Sequence, residues 1–379
     1  MDALMLPLNW QRVRLGDICE IGNGGAYETL IVENGDFKLI SLNSIDIDGN
    51  LKNTMKRVNF YDNSLKQDDI VMVLSDVAHG DFLGLCAVIP NNDYVLNQRM
   101  GRLRKKNDCI NILFLRLYIN ANQKYFKMQG QGSSQLNLSK KAIEDFEILL
   151  PPLNEQIAIA NILSTLDRYL CALDALILKK ESVKKALSFE LLSQRKRLKG
   201  FNQAWQRVRL GDICEITTGS LDANEMVHYG KYRFYTCAKE YYFIDKYAFD
   251  TEAILISGNG AYVGYVHYYK GKFNAYQRTY VLDNFGEHII FVKYFLTMFL
   301  QSHIQTNRNE GNTPYIVMAT LKDFEIPLPP LNEQSAIANI LSALDNEITS
   351  LKNKKRQFEN IKKALNHDLM SAKIRVLKK

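Results

Sequence analysis

The chain has 379 residues and carries a net charge of +7; its 46% hydrophobic content suffices for two or three packed domains. No run approaches 18 apolar residues, which argues against a membrane span, and the opening Met1–Pro7 lacks the basic start and apolar core of a signal peptide. Six cysteines without CxxC spacing read as the thiols of a reduced, cytoplasmic protein.

The first element is a dodecapeptide, Trp10-Gln11-Arg12-Val13-Arg14-Leu15-Gly16-Asp17-Ile18-Cys19-Glu20-Ile21, which returns letter for letter at Trp205 to Ile216. A repeat of this kind outranks any shorter motif, because it sets the plan of the whole fold. Residues 22–150 follow as a mixed α/β block. Asp69–Leu74 predicts a strand, and Asn111–Lys127 predicts a helix. The block closes on Asp145-Phe146-Glu147-Ile148, and Pro151-Pro152-Leu153-Asn154-Glu155-Gln156 opens a long helix. Asn154 offers a cap there, and Glu155 favours the positive end of the helix dipole. Its predicted seam is Ile159, Ile162, Leu166, Tyr169, Leu173, Leu176, Val183 and Leu187, interrupted by Lys180, with Gly200 as the stop.

The plan then repeats. Residues 217–328 share little with 22–150 beyond short echoes: Leu74-Ser75 through Gly84 with Ile256-Ser257 through Gly264, and Asn97-Gln98-Arg99 with Tyr276-Gln277-Arg278. Ala253–Ile256 and Tyr262–Val266 predict strands, Glu287–Ile304 predicts a helix, and the 12 tyrosines between 229 and 280 read mostly as strand-face packing. Pro329-Pro330-Leu331-Asn332-Glu333-Gln334 opens the second long helix, where 12 of 14 positions from Asn332 to Asp345 match Asn154 to Asp167. Its seam is Ile337, Ile340, Leu344, Leu351, Phe358, Ile361 and Leu365, with Leu341 and Ile348 widening the stripe where Glu347 and Lys354 fall. Roughly 40 residues at about 1.5 Å each give helices too long to bury their stripes on one block, so each is expected to pair antiparallel with the other. Lys352, Lys354, Lys355, Arg356, Lys362 and Lys363 read as a solvated face.

Charge follows this division. Residues 154–199 hold 9 Lys/Arg against 5 Asp/Glu, and 332–379 hold 10 against 5, leaving −2 on everything else. Charge alone therefore does not announce a nucleic-acid footprint. Chemistry is equally absent. No phosphate loop ends in Gly-Lys-Ser/Thr, no Asn/Asp-Pro-Pro-aromatic tetrapeptide occurs, and His79, His228, His267, His288, His303 and His367 make no metal-ligand spacing. We expect no cofactor, no metal and no catalytic residue.

The repeated Trp-x-x-Val-x-Leu-Gly-Asp-Ile opening, the Asp-Phe-Glu-Ile-x-Leu-Pro-Pro-Leu-Asn-Glu-Gln closure and the helix after it resemble the specificity subunits of type I restriction–modification systems, in the expected order along essentially the whole chain. The second copy departs from that family's Asn-Gln pair at Tyr276. The resemblance implies an α+β fold with a pseudo-two-fold internal repeat. Two mixed α/β target recognition domains (1–150 and 201–328) would be joined by two long antiparallel coiled-coil helices (151–200 and 329–379). It also implies a non-catalytic reader of double-stranded DNA, with one domain for each half of a bipartite, asymmetric site. The helices would set the spacing and dock two methyltransferase subunits, to which restriction/translocase subunits add. A coiled-coil scaffold without a DNA role is the competing reading, but it has no use for two diverged inserts on one frame. Reading bases requires polar side chains on loops that reach a groove. The candidates are Gln98 and Arg99, Gln277 and Arg278, the polar loop with Gln131, Ser133, Ser134, Gln135 and Asn137, and its counterpart with Asn309, Asn312 and Thr313.

Overall fold

The computed structural model describes residues 9–77, 80–306 and 314–376. Asn309, Asn312 and Thr313, and the Met1–Pro7 opening, lie outside the described residues. The chain divides into two compact units, Met1–Leu173 with Lys354–Lys379, and Asp174–Asn353.

The repeated dodecapeptide and the repeated closure turn out to be partners. In the first unit Gln11–Arg14 pairs antiparallel with Glu147–Leu150, and in the second Gln206–Arg209 pairs with Glu325–Leu328 in the same register. The cross-strand ion pairs repeat as well, Arg12–Glu147 at 3.0 Å and Arg207–Glu325 at 3.1 Å. Gly16 sits where a Cβ would come within 2.9 Å of the Glu144 Cβ, so only glycine lets the Leu15–Ile18 turn lie against the Lys140–Glu144 helix.

Glu155 and Glu333 prove to be more than dipole partners. Each is buried, accepting from the tryptophan of its dodecapeptide and from an arginine beyond the end of a long helix. Glu155 takes Trp10 Nε1 at 3.1 Å and Arg375 Nη2 at 2.7 Å; Glu333 takes Trp205 Nε1 at 3.2 Å and Arg197 Nη2 at 2.5 Å. Burial alone would raise the Glu155 carboxyl, but the hydrogen bonds from Arg375 and Trp10 hold it below the ordinary carboxylate range. Gln156 and Gln334 bond the carbonyls of Pro151 and Pro329, closing the helix start onto its own proline. Asn154 and Asn332 act inside the first turn, each accepting from the next residue's N–H.

Within this frame the first unit builds a four-stranded antiparallel sheet in the order Cys19–Asn23, Met100–Lys105, Ile70–Val73, Cys86–Val88, and a separate three-stranded sheet in the order Arg57–Val58, Phe37–Ile40, Tyr94–Leu96. Phe114, Leu115 and Ile119 of the Ile112–Ala121 helix join Ile70, Met72 and Leu103 in one core. The second unit has one six-stranded sheet, ordered Glu215–Thr218, Thr279–Asp283, Phe249–Ser257, Val266–Ala275, Tyr232–Tyr235, Tyr242–Ile244. The Ile289–Thr306 helix packs on it through Phe291, Leu296 and Leu300. The predicted strand Tyr262–Val266 is instead a turn that ends as Val266 begins, because Gly260 and Gly264 take positive φ (80° and 79°).

Both long helices form, Leu153–Leu192 and Leu331–Met370, and they run antiparallel in each unit. In the first unit Tyr169 meets Phe358 with ring centroids 4.8 Å apart, and Asp167 pairs with Lys362. In the second Glu181 pairs with Lys352 at 2.6 Å and Lys180 with Glu347 at 2.8 Å, so part of the expected solvated lysine face is ion-paired.

The seam differs from the predicted one at alternate positions. Ile159, Leu163, Leu166, Leu170, Leu173, Ile177, Lys180, Lys184, Leu187 and Leu191 face inward, whereas Ile162, Leu176 and Val183 are exposed. The doublets Ile162-Leu163 and Leu176-Ile177 satisfy either phase in sequence, and the partner helix decides between them. The second helix behaves likewise, with Leu341 and Ile348 fully on the seam and Ile361 outside it. The first helix also stops short of Gly200. Gln194 goes left-handed (φ 61°) just past Leu192, as Ala372 (φ 58°) does past Met370, and the segment beyond carries Arg197 to Glu333.

Candidate nucleic-acid interface

Gln98 and Arg99 form the tip of a tight turn between the strands Tyr94–Leu96 and Met100–Lys105; Gln277 and Arg278 do the same between Val266–Ala275 and Thr279–Asp283. One backbone contact recurs beneath both turns. Gln98 N donates to Gly25 O, and Gln277 N to Leu221 O. The glycines beneath cannot be replaced: a Cβ on Gly24 would lie 2.1 Å from Asn97 O, and one on Gly219 would lie 1.9 Å from Ala275 O. At the tip of the first turn Arg99 itself has φ 68°.

One residue in each unit then joins the turn to the polar loop. Leu74 N donates to Arg99 O at 3.0 Å, and Leu74 O accepts from Leu138 N at 2.8 Å; in the second unit Gly258 N donates to Arg278 O at 2.8 Å, and Gly258 O accepts from Ile316 N at 2.9 Å. Leu74 therefore corresponds to Gly258, two residues later than the sequence echo that set Leu74 beside Ile256; the echo is correct at Gly84 and Gly264. Turn and loop are thus neighbours in each unit, joined through one residue.

The predicted readers are not equally available. Gln98, Arg99, Gln277 and Arg278 are exposed, as are Gln131, Ser133 and Ser134. Gln131 pairs through its backbone with Asn137, and Gln135 is half-buried. The Asn137 side chain accepts from the Ser75 hydroxyl at 2.6 Å and donates to Gln135 O at 3.2 Å, so it shapes the loop. In the second unit the described part of the loop is Pro314–Tyr315, where Tyr315 bridges Asn259 as Asn137 pairs with Ser75.

Sequence reasoning missed three neighbours. Glu28 and Asp222 hold the turn glutamines, Gln98 Nε2 donating to Glu28 Oε2 at 2.7 Å and Gln277 Nε2 to Asp222 Oδ1 at 2.8 Å. No motif marks them, since an acid in a loop is ordinary. Arg233 lies over the rings of Tyr241 and Tyr269 at 4.2 and 4.4 Å. Burial opposes its charge, but the Tyr235 hydroxyl and the neighbouring Tyr241 and Tyr269 together outweigh that and raise the guanidinium further. The repeat-equivalent Cys19 and Cys214 thiols are pushed up to about 12 by burial, which leaves them unreactive. Among the described residues no group of three His, Cys, Asp or Glu could hold a metal ion, and no helix is long and apolar enough to cross a membrane.

The sequence pattern of the family described as type I restriction modification DNA specificity domain matches residues 7–181 and 202–360, one match to each repeat. The chain belongs to this family. It is 40% identical over 162 residues to the type I restriction enzyme EcoDI specificity subunit of Escherichia coli, an alignment covering 42% of this chain and 35% of that protein. Against the MjaVIII specificity subunit of Methanocaldococcus jannaschii it is 25% identical over 420 aligned positions, covering 99% and 95%. The fold matches the type I restriction–modification S subunit from M. genitalium over 98% of both chains (TM-score 0.69, 17% identity). It also matches the HsdS subunit from Thermoanaerobacter tengcongensis over 97% and 98% (TM-score 0.51, 18% identity). The specificity-subunit fold therefore accounts for the two-copy frame, the α+β units and the paired helices.

Proposed function

We propose that this chain is the sequence-reading subunit of a type I restriction–modification complex, recognising a bipartite, asymmetric DNA site. Residues 1–150 act as one target recognition domain and 201–328 as the other. The observation that carries this reading is the junction built twice with one backbone pattern and two sets of side chains: Leu74 and Gly258 join turn to loop in the same way, while Asn137 beside Ser75 in one unit is replaced by Tyr315 beside Asn259 in the other. One geometry then presents two surfaces, as two half-sites require. The two helices set the gap between half-sites and dock two methyltransferase subunits, and restriction/translocase subunits join through that assembly. The subunit brings no catalysis or cofactor of its own, and it works in the cytoplasm. Its blocks are not basic overall, so the partners supply part of the phosphate grip.

The test is a block exchange. Residues 22–150 are replaced by the corresponding block of a relative, the protein is assembled with its methyltransferase subunit, and methylation of a randomised DNA library is sequenced. One half-site should change and the other persist. A folded exchange that alters both half-sites, or neither, sinks the modular reading. Methyl transfer by the lone chain sinks the non-catalytic one.

A further inference from the structure

Gln98 and Gln277 share an arrangement that fixes what their amides can offer. A side-chain amide has a donor end and an acceptor end, and on an exposed turn it ordinarily rotates between them. Here each faces a carboxylate, which can only accept, so the Nε2 end must point inward. Gln98 Nε2 donates to Glu28 Oε2 at 2.7 Å and Gln277 Nε2 to Asp222 Oδ1 at 2.8 Å. The two acids differ in length and stand in unlike sequence, yet both end on the same atom of the same turn residue. Among the described residues neither Gln Oε1 accepts a hydrogen bond. The outward edge is therefore one acceptor, Oε1, beside the second hydrogen of Nε2.

We infer that Glu28 and Asp222 are positioning residues that lock the amides of Gln98 and Gln277 into an acceptor–donor edge, so that each turn reads an adenine in its half-site. Adenine presents the complementary pair in the major groove, the N6 amino donor beside the N7 acceptor. Guanine presents two acceptors, O6 and N7, and turns the locked acceptor away. Discrimination is thus set one residue behind the contact, by an acid that never touches DNA. Each neighbouring arginine, Arg99 or Arg278, remains exposed to serve a guanine or a phosphate.

This inference rests on the reading that the turns face DNA, and the experiment separates the two. The chain, assembled with its methyltransferase subunit, is profiled on a randomised double-stranded library as wild type, Gln98→Ala, Glu28→Gln, Gln277→Ala and Asp222→Asn. Each glutamine-to-alanine change should flatten preference at one base pair of one half-site, and in wild type that pair should be A·T. Glu28→Gln and Asp222→Asn replace an obligate acceptor by an amide that also donates. They should lower the adenine-over-guanine preference at that same pair by about tenfold or more. The rest of the site should stay as read. Glu28 also accepts from Asn97 Nδ2 at 2.9 Å, so Asp222→Asn, free of that second tie, guards against a merely misfolded Glu28→Gln turn. A G·C pair at the glutamine-dependent position overturns the lock. So does an unchanged adenine preference in a folded Asp222→Asn complex. If both alanine variants leave every base preference intact, the turns do not read DNA, and the inference falls with that reading.

Discussion

Between Cys86 and Leu96 the first unit makes two short strands, Cys86–Val88 and Tyr94–Leu96, that belong to different sheets; the equivalent stretch of the second unit is one ten-residue strand, Val266–Ala275, running through a single six-stranded sheet. The break falls at Pro90, which lacks a ladder donor, and at the Asn91–Asp93 turn, where Asn91 Oδ1 accepts from Asp93 N at 3.1 Å. Strand direction survives the break. Phe37–Ile40 lies parallel to Tyr94–Leu96, as Tyr232–Tyr235 lies parallel to Val266–Ala275. The frame thus fixes which strands adjoin, while the insert decides whether they fuse. An element away from the Gln98 and Gln277 turns can be rebuilt without removing the turn that both units present.

The largest expected effect tests whether the units hold separate cores. Phe114 and Phe291 are fully buried counterparts on the two domain helices. Phe114→Ala and Phe291→Ala should each cost about 3–5 kcal/mol. Calorimetry should show the loss in the transition of the mutated unit, and an equal shift of the whole profile by either variant would merge the two cores into one.

Next in size is the reading edge. Gln98→Ala with Arg99→Ala should cost one half-site about 1–3 kcal/mol per lost bidentate contact and leave the other untouched. Gln277→Ala with Arg278→Ala should do the reverse. Library profiling that finds either double variant indistinguishable from wild type would remove that turn from the interface.

A smaller effect concerns pH and the second unit alone. Burial lowers the His267 pKa below its ordinary 6.5; its Nε2 lies 2.8 Å from Ala238 O, and its ring packs against Tyr235 and Tyr265. A folded-state pKa below the unfolded one means that the unfolded chain binds the proton first. The contribution of this group is whole above pH 6.5 and is lost as pH falls from there toward the folded pKa. Melting curves between pH 7.5 and 5 should show the second unit losing stability, and His267→Gln should flatten the slope. The smallest effect belongs to the break itself. Pro90→Ala should change stability by no more than about 0.5 kcal/mol, because Pro90 is exposed and the Asn91–Asp93 turn persists; a larger loss would make the proline, and not the turn, the cause of the split.

Much of this plan is legible in the amino-acid sequence. Two copies of a twelve-residue opening and two Pro-Pro closures define the frame, and apolar spacing sustained past Lys180, Glu347 and Lys354 defines the helices. The pairing of opening with closure escaped because no sequence rule ties Arg12 to Glu147. The seam was half right because a doublet such as Leu176-Ile177 satisfies either phase until a partner helix selects one. Glu155 looked like a dipole residue, since its arginine stands 220 positions away. The turn glutamines were visible as polar residues beside Gly-rich segments, but not the acids that orient them, because orientation is a property of pairs.

The latch on Glu155 carries a consequence for synthesis. Residues 174–353 are a contiguous stretch and include both Glu333 and its arginine, Arg197. The first unit instead borrows residues 354–379, among them Arg375, from the far end of the chain. On the ribosome the order of completion is therefore inverted. The later-encoded unit has all its residues once Asn353 is translated, whereas the earlier one waits, its Glu155 carboxylate unlatched, for Arg375.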